Sequence, residues 1–164
     1  MLNNAILLSI RPQYANKIFE GRKRVELRRI CPKYIKKGDL VLIYVSSPVK
    51  SLCGAFQVDR VVEKPLSELW KAVKGKAGVS RKEFNQYYQG LSVGSAIFFN
   101  NVWELSSPIE LRELREQMTD FQAPQNFRYA TADDLISIQP AEFMNLFTLK
   151  PLGKQVKQLK LLQQ

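Results

Sequence analysis

Apolar positions in this chain fall into short runs cut by turn residues, not into long helical stripes. Ala5 to Ile10 is the first run, followed by Arg11-Pro12 and a helical spacing of Tyr14, Ala15, Ile18 and Phe19 that Gly21 ends. Gly38-Asp39 marks a turn, and Leu40 to Val45 reads as a buried strand closing at Ser46-Ser47-Pro48. Gly54 to Val62 predicts another strand, with the glycine at a bulge or close backbone approach. Pro65 opens a helix to about Val73. Ser80 with Glu83 forms a capping-box pattern for a helix carrying Phe84, Tyr87 and Tyr88, ended by Gly90. Ser95 to Leu105 is a further strand, and Pro108 introduces an amphipathic helix with Leu111, Leu114 and Met118. Phe121 to Tyr129 reads as a loop around Pro124-Gln125-Asn126, residues 131–138 have no clear pattern, and Pro140 opens a last short helix. Five to six short strands interrupted by helices favour an α+β fold built on a small mixed β-barrel over a doubly wound parallel sheet. Residues 1–150 are expected to form one domain, and 151–164 a basic, loosely ordered tail.

Charge sharpens this picture. The 164 residues carry a formal net charge of +10, and residues 11–50 hold eleven Lys or Arg against Glu20, Glu26 and Asp39, a local net of +8. A concentrated positive field selects phosphate-bearing partners, so RNA or a nucleotide is the expected ligand, with DNA left open. A membrane surface fits less well, because the basic residues lie on a strand and its turns and not along one amphipathic helix. No apolar run reaches membrane-spanning length, and the two cysteines, Cys31 and Cys53, match no metal spacing. They read as free thiols of a cytoplasmic protein. The absence of histidine removes a Ser-His-Asp triad and the commonest metal ligand, and no metal or cofactor is expected.

The densest chemistry lies in Gly21-Arg22-Lys23-Arg24-Val25-Glu26-Leu27-Arg28-Arg29, six charges in nine positions on a strand-like pattern. Val25 and Leu27 face a core, while Arg22, Arg24, Glu26 and Arg28 form a basic row with one carboxylate. Regular alternation sets Lys23 on the opposite face, so a site shared with Glu26 and Arg28 requires a twist or bulge just after Gly21. Crowding by Arg22 and Arg24 would lower the Lys23 pKa toward that of a base; a phosphate-binding or solvated lysine is the plainer reading. Glu26 beside Arg28 suits a base-edge contact with phosphate gripped by the guanidinium, or a plain cross-strand ion pair. Arg11 sits where the helix dipole disfavours a cation, which hints at another task. Tyr44, Ser46 and Ser47 suit the wall of a pocket for an unstacked base, or else a core tyrosine with turn serines. Gln125 and Asn126 offer donors and acceptors for a base edge, with Phe127 and Tyr129 as anchors.

The segment Ser9-Ile10-Arg11-Pro12-Gln13-Tyr14-Ala15 followed by Gly21-x-Lys23-x-x-Glu26-x-Arg28 resembles the ASCH domain, a branch of the PUA-like superfamily. Gly38-Asp39, Tyr44-x-Ser46-Ser47-Pro48, Gly54 and Tyr88-x-Gly90 fit the same pattern in order, so the resemblance covers roughly residues 5–130. It implies a PUA-like β-barrel with a cleft beside the Lys/Glu/Arg element that accepts RNA or a nucleoside. Members are RNA-binding modules, regulators linked to transcription, translation or RNA modification, and in some small bacterial forms enzymes. One enzymatic branch resembles an amidohydrolase of acetylated cytidine that uses a lysine, a threonine and a glutamate; another is proposed to cleave RNA. Here Lys23 matches the lysine, but Glu26 stands at the threonine position and no carboxylate lies near Ala77-Gly78, where the hydrolase glutamate would fall.

The leading expectation is thus an RNA- or nucleotide-binding ASCH/PUA-like module with a regulatory role. Phosphate would be held by Arg11, Lys23 and Arg28, and the base read near Glu26, Tyr44, Ser46, Ser47 and Gln125. The alternative is an enzyme acting on RNA or a modified nucleoside, a ribonuclease or amidohydrolase, with Lys23 and Glu26 catalytic. A protein partner for the basic face is a third reading.

Overall fold

A computed structural model describes residues 5–118, 120–131 and 134. Six strands and four helices run β1 (Ala5–Ile10), α1 (Pro12–Phe19), β2 (Val25–Arg28), β3 (Leu40–Val45), β4 (Ser51–Pro65), α2 (Leu66–Val73), α3 (Arg81–Tyr87), β5 (Val93–Glu110), α4 (Leu111–Gln117) and β6 (Phe127–Ala130). They form one mixed sheet in the order β2-β5-β4-β3-β1-β6. β1 runs parallel to β3, and the other neighbouring pairs are antiparallel.

β1 and β3 are apolar throughout because both of their faces are covered. Ile6, Leu8 and Ile10 pack with Val41, Ile43 and Val45 against Ala15 and Ile18 of α1, whereas Leu7, Leu40, Leu42 and Tyr44 pack with Leu114 of α4. Alternation thus sorts one run of residues into two cores. A third core joins Val25 and Leu27 of β2 to Leu69 and Val73 of α2, Phe84 of α3 and Tyr88 just after it.

The sheet is α+β and barrel-like, but its edge strands β2 and β6 are not paired with each other. They are drawn together by Arg28, whose Nη1 donates to the Ser9 carbonyl of β1 at 3.3 Å and whose Nη2 donates to the Asn126 carbonyl just before β6 at 3.1 Å. A guanidinium therefore occupies the seam where a closed barrel would have a backbone ladder.

Differences from the sequence reading are local. β4 runs three residues beyond the expected bounds at each end and β5 two residues at its start and five at its end, so that Pro108 lies inside β5 instead of opening α4. The end of the expected 121–129 loop is strand β6. The helix expected from Pro140, most of 131–138 and the tail 151–164 lie outside the described residues. Among the described residues, no helix is long and apolar enough to cross a membrane, and Cys31 and Cys53 are free thiols.

The Ser80–Glu83 capping box is fully formed: Glu83 N–H donates to Ser80 Oγ at 3.1 Å, and Ser80 N–H donates to the Glu83 carboxylate at 2.6 Å. Ser80→Ala is expected to cost about 1 kcal/mol and to lower Tm by roughly 2–4 °C in a thermal melt.

Candidate nucleic-acid interface

A cleft of about 310 Å³ opens at the β2/β6 seam, walled by β2, the start of α1, α3 and the turn before β6. Its floor is built from Lys23, Glu26 and Arg28. Gly21 adopts a left-handed conformation (φ 78°) that reverses the chain after α1, a geometry glycine tolerates without strain. The N–H groups of Arg22 and Lys23 both return to the Lys17 carbonyl. β2 begins only at Val25. Lys23 therefore precedes the strand and is not bound by its alternation, which supplies the twist that a shared site requires.

Lys23 is only 3% exposed. Its Nζ donates to the carbonyls of Val25 at 2.8 Å and Ala77 at 2.7 Å, and lies 3.4 Å from Glu26 Oε2. The Tyr14 ring centroid is 5.5 Å from the same nitrogen. Glu26 turns its other oxygen to Arg28 Nη1 at 3.5 Å. One carboxylate thus bridges two buried cations. Burial is the main cause lowering the Lys23 pKa from its ordinary value; Glu26 opposes the shift, and Lys17 and Arg28 add to it. Val25, Ala77 and Glu26 thus set three acceptors around Nζ, one for each N–H of the ammonium form. Arg28 Nε is buried and has no hydrogen-bond partner among the described residues.

Around this floor stand Arg11, Tyr14, Ser46, Glu83, Gln125 and Asn126. Arg11 is the exposed residue before α1, and its side chain caps nothing there. Of the residues named from sequence, Arg11, Lys23, Glu26, Arg28, Ser46 and Gln125 are brought together. Tyr44 and Ser47 are not among the residues lining the cleft. Tyr44 is 3% exposed in the core beneath α4, because its strand position shares a face with Leu40 and Leu42. Ser47 is exposed in the turn beyond β3. Arg22 and Arg24, expected to crowd Lys23, precede the strand and point outward, Arg22 toward Glu20. Desolvation does most of what they were expected to do.

The sequence pattern sets Tyr14 on a helix face and Glu83 in a cap, and the fold brings both to the cleft. Glu83 performs both tasks, and its hydrogen bonds to Ser80 lower its pKa. The Ala77-Gly78 loop does reach Lys23, but with a backbone carbonyl where the amidohydrolase pattern would set a carboxylate. Among the described residues, no cluster of three His, Cys, Asp or Glu side chains is placed to hold a metal ion.

Over 128 residues the chain is 27% identical to an ASCH domain-containing ribonuclease of Zymomonas mobilis, which covers 78% of this chain and 85% of that protein. The crystal structure of ASCH from Zymomonas mobilis superposes with a TM-score of 0.76 at 26% identity, over 82% of this chain and 92% of that one. The large ribosomal subunit protein uL22 of Ureaplasma parvum is 30% identical over 125 residues, which make up 76% of this chain and 38% of that protein. The ASCH domain pattern itself matches residues 8–115, a span containing α1, the Lys23–Glu26–Arg28 floor and α3. On that match, which takes in more than half of its length, the chain belongs to the ASCH domain family.

Proposed function

We propose that the protein acts on RNA, taking one unstacked nucleotide into the cleft and cleaving the adjoining phosphodiester. The observation that carries this reading is the Lys23–Glu26–Arg28 triad: a desolvated amine, a carboxylate and a guanidinium held within 3.5 Å contacts on the floor of a recess. The likeness to a protein named as a ribonuclease supports the same reaction class. Arg28 on the cleft floor and the exposed Arg11 at its rim carry guanidinium groups suited to phosphate oxygens. Gln125 and Asn126 at the rim suit a base edge.

In the proposed reaction Lys23 acts in its neutral form, which burial favours: the amine accepts the 2′-hydroxyl proton, and the 2′ oxygen attacks the neighbouring phosphorus. The bond from phosphorus to the 5′ oxygen breaks, leaving a 2′,3′-cyclic phosphate, and the departing oxygen takes a proton from water. Arg28 and Arg11 offset the charge that builds on the phosphoryl oxygens. Glu26 orients the amine and stabilises the cation formed on it.

Incubation with single-stranded RNA should give fragments ending in cyclic phosphate, and Lys23→Met should cut about a hundredfold more slowly or worse. A second reading, a regulatory module that binds RNA without cutting it, is favoured by the three acceptors that already surround Lys23 Nζ. RNA bound but left intact by the native protein would select it. Neither binding nor cleavage would remove both.

A further inference from the structure

We propose that single-stranded RNA leaves the cleft over Asn126 and stacks on an aromatic track formed by Phe127, Tyr129 and Tyr34. The inference rests on the RNA reading above and specifies its substrate class as an unpaired oligonucleotide, not a mononucleoside or a duplex.

The track begins at the cleft wall. Asn126 lines the cleft, and its carbonyl is held by Arg28 and by the Ser9 amide. Phe127 and Tyr129 follow at alternate positions of β6, both half-buried against the core shared with α1. Their ring centroids are 5.9 Å apart, and Tyr34 lies a further 6.1 Å from Tyr129. Three rings in steps of about 6 Å thus form a contact chain from β6 to Tyr34, Phe127 and Tyr129 meeting edge to face at 82° and Tyr129 and Tyr34 tilted at 48°, so that the open face is that of Tyr34.

Tyr34 is 63% exposed, yet its backbone is fixed. Its N–H donates to the Tyr129 hydroxyl at 2.9 Å, the neighbouring Ile35 packs into the core, and Lys36 N–H donates to Asp39 at 2.9 Å. An isolated exposed ring needs no explanation; an exposed ring on an anchored loop, in contact with a second aromatic that itself touches a third, resembles a stacking platform. Lys33 places its ammonium 5.5 Å from the Tyr34 centroid, and Lys33, Lys36 and Lys37 are all exposed on this loop. These cations can follow a phosphate backbone while the rings take bases of any identity. A duplex cannot use such a track, because its bases are already stacked and paired.

The test measures binding of a fluorescent 2′-O-methyl RNA hexamer, which cannot be cut, beside a mononucleotide and a blunt duplex of the same sequence. Tyr34→Ala should weaken the hexamer about five- to a hundredfold, leave the mononucleotide unchanged, and be rescued by Tyr34→Phe. Native protein should prefer the hexamer to the duplex. Hexamer binding that Tyr34→Ala leaves within twofold, as expected if the patch instead receives a protein, overturns the track alone, as does equal binding of the duplex. Failure of the native protein to bind either the hexamer or the mononucleotide overturns the RNA reading and the track with it.

Discussion

Glu26→Gln is expected to destabilise the protein by about 3 kcal/mol near neutral pH, making it one of the most costly single substitutions in the cleft. The new side chain keeps shape and length but leaves two cations without their shared anion, Lys23 at 3% exposure and Arg28 at 7%. Removing one partner of a buried ion group costs more than the group is worth in the intact fold, because the charges left behind have lost both water and counter-ion. The loss should also depend on pH. Burial already lowers the Lys23 pKa, and Glu26 is the group that opposes this. Below its folded-state pKa, Lys23 is charged in the folded and unfolded chains alike, and the full burial penalty applies. As pH rises through that value toward the unfolded one, the folded chain releases a proton that the unfolded chain keeps, and stability increases. Without Glu26 the lower end of this window moves down. The deficit of Glu26→Gln relative to the native protein should therefore be largest near about pH 6 and smaller near about pH 9.5, below the unfolded lysine pKa of roughly 10.4. Urea titrations at the two pH values measure it. Equal deficits at both would mean that the loss of Glu26 does not alter the protonation of Lys23 between these two pH values.

The same three residues show how far a sequence can be read. Their type and spacing were legible because charged residues interrupting an apolar strand pattern are costly unless they are used. Lys23 needed a break in alternation after Gly21, and the left-handed glycine there provides it. Elements with local signals were equally legible: β1 and β3 from their apolar runs and α3 from its capping box. The position of Tyr44 was not. β3 is buried on both faces, so its sequence carries no alternation to say which face meets the cleft, and Tyr44 falls on the α4 side. β6 was missed because four half-buried residues carry too little pattern, and because its pairing partner, β1, lies more than a hundred residues earlier. The clasp by Arg28 is hidden for the same reason: its acceptors, Ser9 and Asn126, meet it only once the sheet has curled.

β4 and β5 approach closely at Gly54, where the second large effect arises. Gly54→Ala should cost about 3 kcal/mol, the top of the ordinary range for overpacking because a backbone atom stands in the way, and should lower Tm by roughly 6–12 °C. A Cβ at this position would lie 2.2 Å from the Trp103 carbonyl oxygen of β5 and 2.7 Å from Cε1 of Phe19. The ring could swing aside, but the carbonyl belongs to the long β4–β5 ladder, and just before Gly54 the register is already shifted against both neighbouring strands, at Leu52/Gly54 toward β5 and Ile43/Tyr44 toward β3. Phe19 is the last residue of α1, shortly before Gly21 and Lys23. A displaced ring would therefore disturb the turn that delivers the amine to the cleft, so RNA affinity or turnover should fall together with stability. Truncating Phe19 to alanine in the Gly54→Ala background separates the two contacts. Recovery of cleft function without recovery of Tm would assign the melting loss to the β5 carbonyl, whereas full recovery of both would place the whole conflict at the ring. A single Gly54→Ala variant melting within about 2 °C of the native protein, less than the shift from 1 kcal/mol, would show that β4 and β5 separate at this point without penalty.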